Sequence, residues 1–269
     1  MTTISASTRD SGVVTWRNLM NVRRQPDLLL GATLQPIMFV LLFAFVFGNS
    51  IGNDPDAYRE FLMGGIFAQT VAFNSAYTTI GMAADLEKGV IDRFRSLPMS
   101  RAAVLVGRTT SDLVVSALGL LVMSVCGLLV GWRIRGSVVD AVIGYAMLLL
   151  FSFAMSWIGA WIGMLSGNVQ VAQSAGFIWM FPVTFISSAF VSASSMPGPL
   201  KVFAEWNPVT AVADAARELF GNERPGVLAA RPESWPAQHA VLFAIVSCVA
   251  ILVIFTPIAV AKYRKVASK

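Results

Sequence analysis

The sequence predicts an all-α membrane protein with six transmembrane helices and both termini in the cytoplasm. It also predicts an interfacial helix near the N-terminus and short re-entrant or outer helices between the fifth and sixth spans. Three observations lead there. Only 13% of the 269 residues are charged and 56% are hydrophobic, whereas a soluble domain carries about 25% charged residues. The apolar residues gather in six charge-free runs of at least 20 residues, the length that a bilayer core of ~30 Å demands of a helix. Thirteen of the 20 basic residues fall in the connections on one side of those runs, which the positive-inside rule assigns to the cytoplasm.

Residues 12–25 come first, as a basic amphipathic helix. Val13, Trp16, Leu19 and Met20 share one side, and Arg17 and Arg24 share another, a pattern suited to the inner headgroup layer. The first span is 28–48. The pair Arg23-Arg24 precedes it, but the run is longer than a signal-peptide core and no A-x-A site follows. The remaining spans are 61–84, 113–132, 141–165, 171–191 and 240–261. Trp132 and Trp235 stand at outer span ends and Tyr263 at an inner end, as aromatic belts require. Gly159, Gly163 and Gly167, and separately Gly127 and Gly131, are spaced for close helix approach. No repeat appears, so 1–269 reads as one membrane domain.

The connection at 85–97 is unusual. Leu86, Val90, Phe94 and Leu97 recur at helical spacing, with Glu87, Lys88, Asp92 and Arg95 opposite. Pro98 then stops the helix and Ser100 caps the next. A solvated connector and a force-receiving cytoplasmic helix both fit these residues. The outer segment 192–239 opens on a Ser/Pro/Gly-rich break around Met196-Pro197, after Pro182 has already interrupted the fifth helix. Two short helices follow, Leu200–Trp206 and Val209–Phe220. Their apolar faces (Val202, Phe203 and Trp206; Val209, Val212 and Leu219) are expected to lie on or dip into the outer leaflet.

Catalytic chemistry finds little footing. None of the 5 lysines follows a glycine, so no P-loop is present, and His239 is the only histidine. The spans contain no ionisable group that would serve a proton relay. Arg108 and Asp112 lie four apart at an inner helix mouth, within pairing reach. Cys126 and Cys248 sit in apolar runs as buried thiols. Gln69, Asn74, Ser75, Thr78 and Thr79 in the second span, and Gln173 and Ser174 in the fifth, either bond neighbouring helices or line a substrate path; residue type leaves both readings open.

The elements Glu87-Lys88-Gly89 and Leu97-Pro98-Met99-Ser100-Arg101 flank the inner turn after the second span, and Met196-Pro197, Asn207-Pro208 and Arg217 mark the outer segment. In these features the chain resembles the permease subunits of ABC-2 type ABC transporters, and is most similar to short permeases of the daunorubicin-resistance type. The resemblance covers almost the whole chain. It implies a non-catalytic transmembrane subunit of an exporter in the bacterial cell membrane. Two permeases, identical or related, would form the pathway, each docked on a separate ABC ATP-binding subunit. ATP and Mg would sit on that partner, with no cofactor or metal on this chain and no nucleic-acid role. The resemblance further implies contact with the ATPase through Arg17, Leu86, Glu87, Lys88, Gly89, Arg93, Phe94, Arg95 and Pro98. It implies an outer gate at Met196, Pro197, Asn207, Pro208 and Arg217, and an amphipathic drug or lipid as cargo. An ion-coupled carrier working alone and a six-span intramembrane enzyme or scaffold are the alternatives.

Overall fold

The structure, a computed structural model, describes residues 11–20, 26–47, 55–90, 101–222 and 234–266. It is mainly helical, with turns and irregular links between the helices and no strand among the described residues. Helix α1 covers 11–20. Helix α2 is Pro26–Leu41, continued by a π-helical turn Leu42–Phe47. Helices α3 (Pro55–Glu87), α4 (Arg101–Val130), α5 (Val138–Gly163) and α6 (Val169–Phe185) follow. The outer segment supplies a 3₁₀ turn Ala193–Ser195, α7 (Gly198–Glu205), α8 (Pro208–Phe220) and α9 (Trp235–Gln238). The last helix, α10, is Ala240–Val266.

Among the described residues, three helices are long and apolar enough to cross a membrane: Val104–Val130, Val138–Gly163 and Ala240–Val266. Their outward sides carry exposed Leu118, Leu121 and Leu129 on α4, and Val249, Val253 and Ile254 on α10. Apolar faces of this extent suit hydrocarbon rather than water. Helix α3, 33 residues long, is the hub: it packs against α2, α4, α5, α6 and α8, and its middle is almost wholly buried. This explains why its sequence is the least purely apolar of the long helices. A helix surrounded by protein can carry polar side chains, because neighbouring helices satisfy them.

Glycine sets the closest approach. A Cβ on Gly159 would collide with the Ser75 carbonyl oxygen, and one on Gly163 would lie 2.5 Å from the Thr79 carbonyl oxygen. The two glycines therefore seat α5 on α3. Gly167 takes no part, since it occupies a turn at φ +70 with open space around it, and Gly131 likewise turns the chain at φ +106. The final step of each G-x-x-x-G series is thus a turn glycine, not a packing one. Gly159→Ala is expected to destabilise the bundle by about 1–3 kcal/mol, because the contact is with rigid backbone. Gly12→Ala, which meets nothing within 4 Å, is expected to leave stability unchanged. Thermal unfolding of detergent-purified variants measures the difference.

Several boundaries differ from the sequence expectation, each for a local reason. A continuous helix over 85–97 does not form. Helix α3 ends at Glu87, Lys88-Gly89 make a turn, and Gly89 adopts φ +63. The Lys88 and Gly89 amides bond back to the Ala84 and Leu86 carbonyls, closing the helix on a left-handed glycine. Leu86 and Val90 therefore do not continue one stripe, and residues 91–100 lie outside the described residues. The fifth span, expected to run to 191, stops at Phe185, three residues after Pro182. Helix α8 packs into the bundle against α3, α5 and α10. Its Val209 and Val212 are fully buried, as are most of its other residues. Helix α7 does present Val202, Phe203 and Trp206 outward, as expected.

Candidate functional site

Two polar constellations stand out, one at each end of α3. The outer one begins with the early stop of α6. Ending at Phe185 leaves the backbone beyond the Ile186 amide, which still bonds the Pro182 carbonyl, without helical partners, and buried groups of this kind must be satisfied inside the protein. Helix α8 supplies the partners from one face. Asn207, its N-cap, accepts from the Val209 amide and donates through Nδ2 to the carbonyls of Val183 (2.6 Å) and Ile186 (2.8 Å). Thr210 Oγ1 accepts from the Ser188 amide at 2.9 Å. Asp214 accepts from the Ser188 hydroxyl at 2.9 Å.

Arg217 completes the clasp and is only 3% exposed. Its Nε donates to the Phe61 carbonyl at 2.8 Å, and Nη2 donates to the carbonyls of Ser188 (2.7 Å) and Ala189 (3.1 Å). Its Nη1 donates to Ser188 Oγ at 3.1 Å and to Asp214 at 2.5 Å. All five guanidinium hydrogens thus have acceptors, the full capacity of the group. The guanidinium also lies 3.5 Å from the centre of the Phe61 ring. Burial pulls the Arg217 pKa below its usual value, and neighbouring Asp214 pulls it back up. The clasp needs Gly64-Gly65 beneath it. A Cβ on Gly64 would sit 2.7 Å from Arg217 Cγ, and one on Gly65 would collide with the Ala189 carbonyl.

The far end of α8 is held as firmly. Gly221 caps it in a left-handed conformation, and the amides of Arg135 and Gly136 bond the Phe220 carbonyl. Trp132 Nε1 donates to Asn222 Oδ1 at 2.7 Å, and Arg135 pairs with Glu60 at 2.6 Å. Met196 and Pro197 sit in the half-exposed turn leading into α7. Pro208 serves as the first residue of α8, where its missing N–H costs nothing.

The inner constellation is a chain of charges. Asp85, near the end of α3, lies between two arginines: Arg17 of α1 at 3.2 Å and Arg108 of α4 at 3.6 Å. Arg108 in turn lies 3.5 Å from Asp112. Gly81 makes room, since a Cβ there would overlap the Arg108 guanidinium. Thr78 donates to Asp112 at 2.8 Å. The line continues inward through the Asp112 carbonyl, which accepts from Ser116 Oγ, and through Asn74, which donates to the same hydroxyl at 2.8 Å. With the Ser116 proton so used, Ser152 of α5 donates to Ser116 at 2.6 Å. Four helices, α1, α3, α4 and α5, are joined in one polar line. Helix α1 is docked at its start: a Cβ on Gly107 would be 2.7 Å from Val14 Cβ, while Val13 and Trp16 face outward.

The expected ATPase contacts fall around this inner end. Arg17 is in the charge chain. Glu87 and Lys88 are exposed at the tip of α3, where Glu87 also accepts from the Val169 amide at the start of α6. Leu86 packs against the inner apolar cluster of Met82, Val104, Leu105, Trp157 and Tyr263. Arg93, Phe94, Arg95 and Pro98 lie outside the described residues.

The polar residues of the spans divide. Thr78 and Thr79 bond Asp112 and the Gly159 carbonyl, and Ser75 lies against Met180. Gln69 and Asn74 line a crevice between α2 and α3. Gln173 and Ser174 are exposed on the outside of α6. Sequence reasoning missed Asp85, Asp214, Ser188 and Thr210. The available signal was the spacing Asn207, Thr210, Asp214 and Arg217, a polar stripe along one side of an otherwise apolar helix.

Comparison with known proteins converges with this geometry. Residues 10–220 match the family described as the ABC-2 type transporter. The chain is 32% identical over 205 residues to a daunorubicin resistance ABC transporter permease protein of Streptomyces coeruleorubidus, covering 76% of this chain and 72% of that relative. It is 22% identical over 214 residues to a putative transport permease of Cyanophora paradoxa (78% and 73% of the two chains). It is 21% identical over 192 residues to a probable doxorubicin resistance ABC transporter permease protein of Mycobacterium tuberculosis (70% and 68%). The matched stretch runs from α1 to the last residue of α8, and so contains both the inner charge chain and the outer clasp. The chain belongs to the ABC-2 type transporter family: it is a multi-pass membrane permease of the ABC transporter class.

Proposed function

We propose that this chain is the non-catalytic permease subunit of an ATP-driven exporter in a bacterial cell membrane. It crosses the bilayer six times with both ends inside, pairs with a second permease, and docks on separate ATP-binding subunits that hold ATP and Mg. Its cargo is an amphipathic drug or a lipid, in keeping with the drug-resistance permeases among its relatives. The observation that carries the reading is the inner charge chain. Asp85 ties the docked helix α1 to the mouths of α3 and α4, so a push on that end reaches the bundle through ionic and backbone contacts. Arg17, Glu87, Lys88 and Gly89, with Leu86 behind them and Arg93, Phe94, Arg95 and Pro98 beyond, form the ATPase-facing surface in this proposal. The outer clasp of Asn207, Pro208 and Arg217, with Met196-Pro197 at its approach, is the exit gate.

The test is reconstitution of the chain with an ATP-binding subunit in liposomes, following ATP-dependent movement of a fluorescent amphipathic compound. Transport is expected with both chains and ATP, and none with the permease alone under a proton gradient. Gradient-driven flux without the ATPase would overturn the proposal. The double substitution Arg93→Glu with Arg95→Glu is expected to abolish transport while ATP hydrolysis and membrane insertion persist. Normal transport by that variant would remove these residues from the coupling surface.

A further inference from the structure

We propose that one phospholipid of the inner leaflet is bound as a structural ligand in the groove between α1 and α4, its ester region against Thr110 and an acyl chain laid along α4. The proposal takes only the orientation of the chain from the permease reading. A resident lipid that holds α1 on the bundle is neither cargo nor a step of export. The described part of α1 is short, and a helix of about ten residues is marginal without packing. Its seam with α4 is narrow. Val14 lies against Gly107, and the Thr15 hydroxyl donates to the Ser11 carbonyl at 2.8 Å while lying 3.1 Å from the Gly107 carbonyl. Beside this seam runs an open groove of about 470 Å³, walled by Gly12, Thr15, Trp16 and Leu19 of α1 and by Val106 and Thr110 of α4. Its volume is that of a small-molecule site, about 300–1,000 Å³.

Depth and chemistry identify the occupant. On one wall, α1 turns Val13 and Trp16 outward, apolar and aromatic side chains that suit the boundary between headgroups and tails. On the other, Val106, Thr110, Val114 and Leu118 recur every four residues and so share a face of α4. The three apolar ones are exposed. From Val106 to Leu118 the helix rises about 18 Å, slightly more than one leaflet of a ~30 Å core. The groove therefore opens at the inner end of an apolar track as long as an acyl chain is deep. No charged side chain lines it, so it matches the uncharged ester level of a lipid and not its phosphate. One hydroxyl is available there. Thr109 and Ser111 turn theirs back on carbonyls of their own helix, whereas the Thr110 hydroxyl bonds nothing among the described residues. An ester carbonyl is the acceptor it lacks.

The test is native mass spectrometry of the full chain, purified in detergent without an ATPase and incubated with palmitoyl-oleoyl phosphatidylglycerol or the matching phosphatidylethanolamine before washing. One phospholipid per chain is expected to stay bound, equally for the two headgroups. Val106→Trp fills the groove from a position already 36% exposed and is expected to lower retention about tenfold. Thr110→Val keeps the shape and removes the hydroxyl, and is expected to lower it about threefold. Leu242→Ala, on the exposed face of α10, is expected to change nothing. Thermal unfolding shows that each variant is folded. Lipid-stripped wild type is expected to regain its melting temperature when either lipid is returned, and Val106→Trp is not. No retained lipid in the wild type, unchanged retention in the folded Val106→Trp and Thr110→Val variants, or retention confined to one headgroup overturns the proposal. So does a lipid-free dimer that Val106→Trp breaks, which would assign the groove to a second copy of the chain. With no ATPase in the measurement, a failure here leaves the permease reading standing, and a failure of ATP-driven export leaves the bound lipid standing.

Discussion

Arg217→Ala is expected to unfold the outer half of the bundle. The substitution leaves the buried Ser188 and Ala189 carbonyls without their donor, leaves the half-buried Asp214 only the Ser188 hydroxyl, and removes the cation from the Phe61 ring. Each buried acceptor left without a donor costs about 1–3 kcal/mol, and the Phe61, Ser188 and Ala189 carbonyls all lose theirs. That is a large share of the ~5–15 kcal/mol that holds a typical protein folded. Arg217→Lys is expected to do little better. An ammonium has three donors and no plane, whereas this site uses five donors from a flat group stacked on a ring. Removing Asp214 as well is not expected to rescue, because most of Arg217's bonds go to backbone carbonyls. Denaturation of detergent-solubilised protein, followed by circular dichroism, reads the loss. Wild-type stability in the lysine variant would show that charge alone, and not the fork, holds the segment.

The second large effect is expected at Asp85, and in function more than in stability. These side chains are 17–31% exposed, so solvent screens them and each pair contributes only about 1 kcal/mol to folding. Their importance lies in connection. Asp85→Ala leaves Arg17 and Arg108 facing each other across a vacated anion, and is expected to drive α1 from the mouths of α3 and α4. ATP hydrolysis should continue while transport falls to background. Arg17→Ala removes one contact of the two and is expected to have a milder effect. The informative variant is the exchange of Arg17→Asp with Asp85→Arg. A simple two-residue bridge would be restored by it. Here it is expected to fail, because an arginine at position 85 would lie against Arg108, 3.6 Å from the present carboxylate. Full rescue of coupled transport by the exchange would show that Arg108 does not share the anion.

Much of this molecule can be read from residue order. The long apolar runs give α4, α5 and α10 with few surprises, because a lipid-facing helix is selected residue by residue for its solvent. The N-terminal amphipathic helix is equally plain, with Val13 and Trp16 outward as the pattern requires. Asn207-Pro208 marks the start of α8 and Gly221 its end, since a cap, a first-turn proline and a left-handed glycine are local chemistry.

What misled was locally ambiguous. Leu86 and Val90 are spaced for one helix face, but the spacing rule has no way to register that Gly89 between them takes a positive φ. Gly167 and Gly163 are alike in spacing, yet one turns the chain and the other touches a carbonyl. The partners of α8 inside the bundle were not legible because its apolar side was counted and its polar stripe was not. That stripe makes sense only against the unwound backbone of 186–190, which lies some twenty residues earlier in the chain.

The sequence alone therefore determined the long apolar helices, the caps and turns at their ends, and the family. These depend on composition and on interactions within a few residues. Only the tertiary structure decided that Arg217 belongs to a backbone clasp, that one carboxylate of Asp85 serves two arginines from different helices, and that Gln69 Nε2 has no partner among the described residues while Thr70, Asn74, Thr78 and Thr79 on α3 are bonded. The physical reason is the same in each case. Whether a polar group is satisfied depends on partners distant in sequence, and in a bundle crossing lipid the absence of a partner is not made good by water.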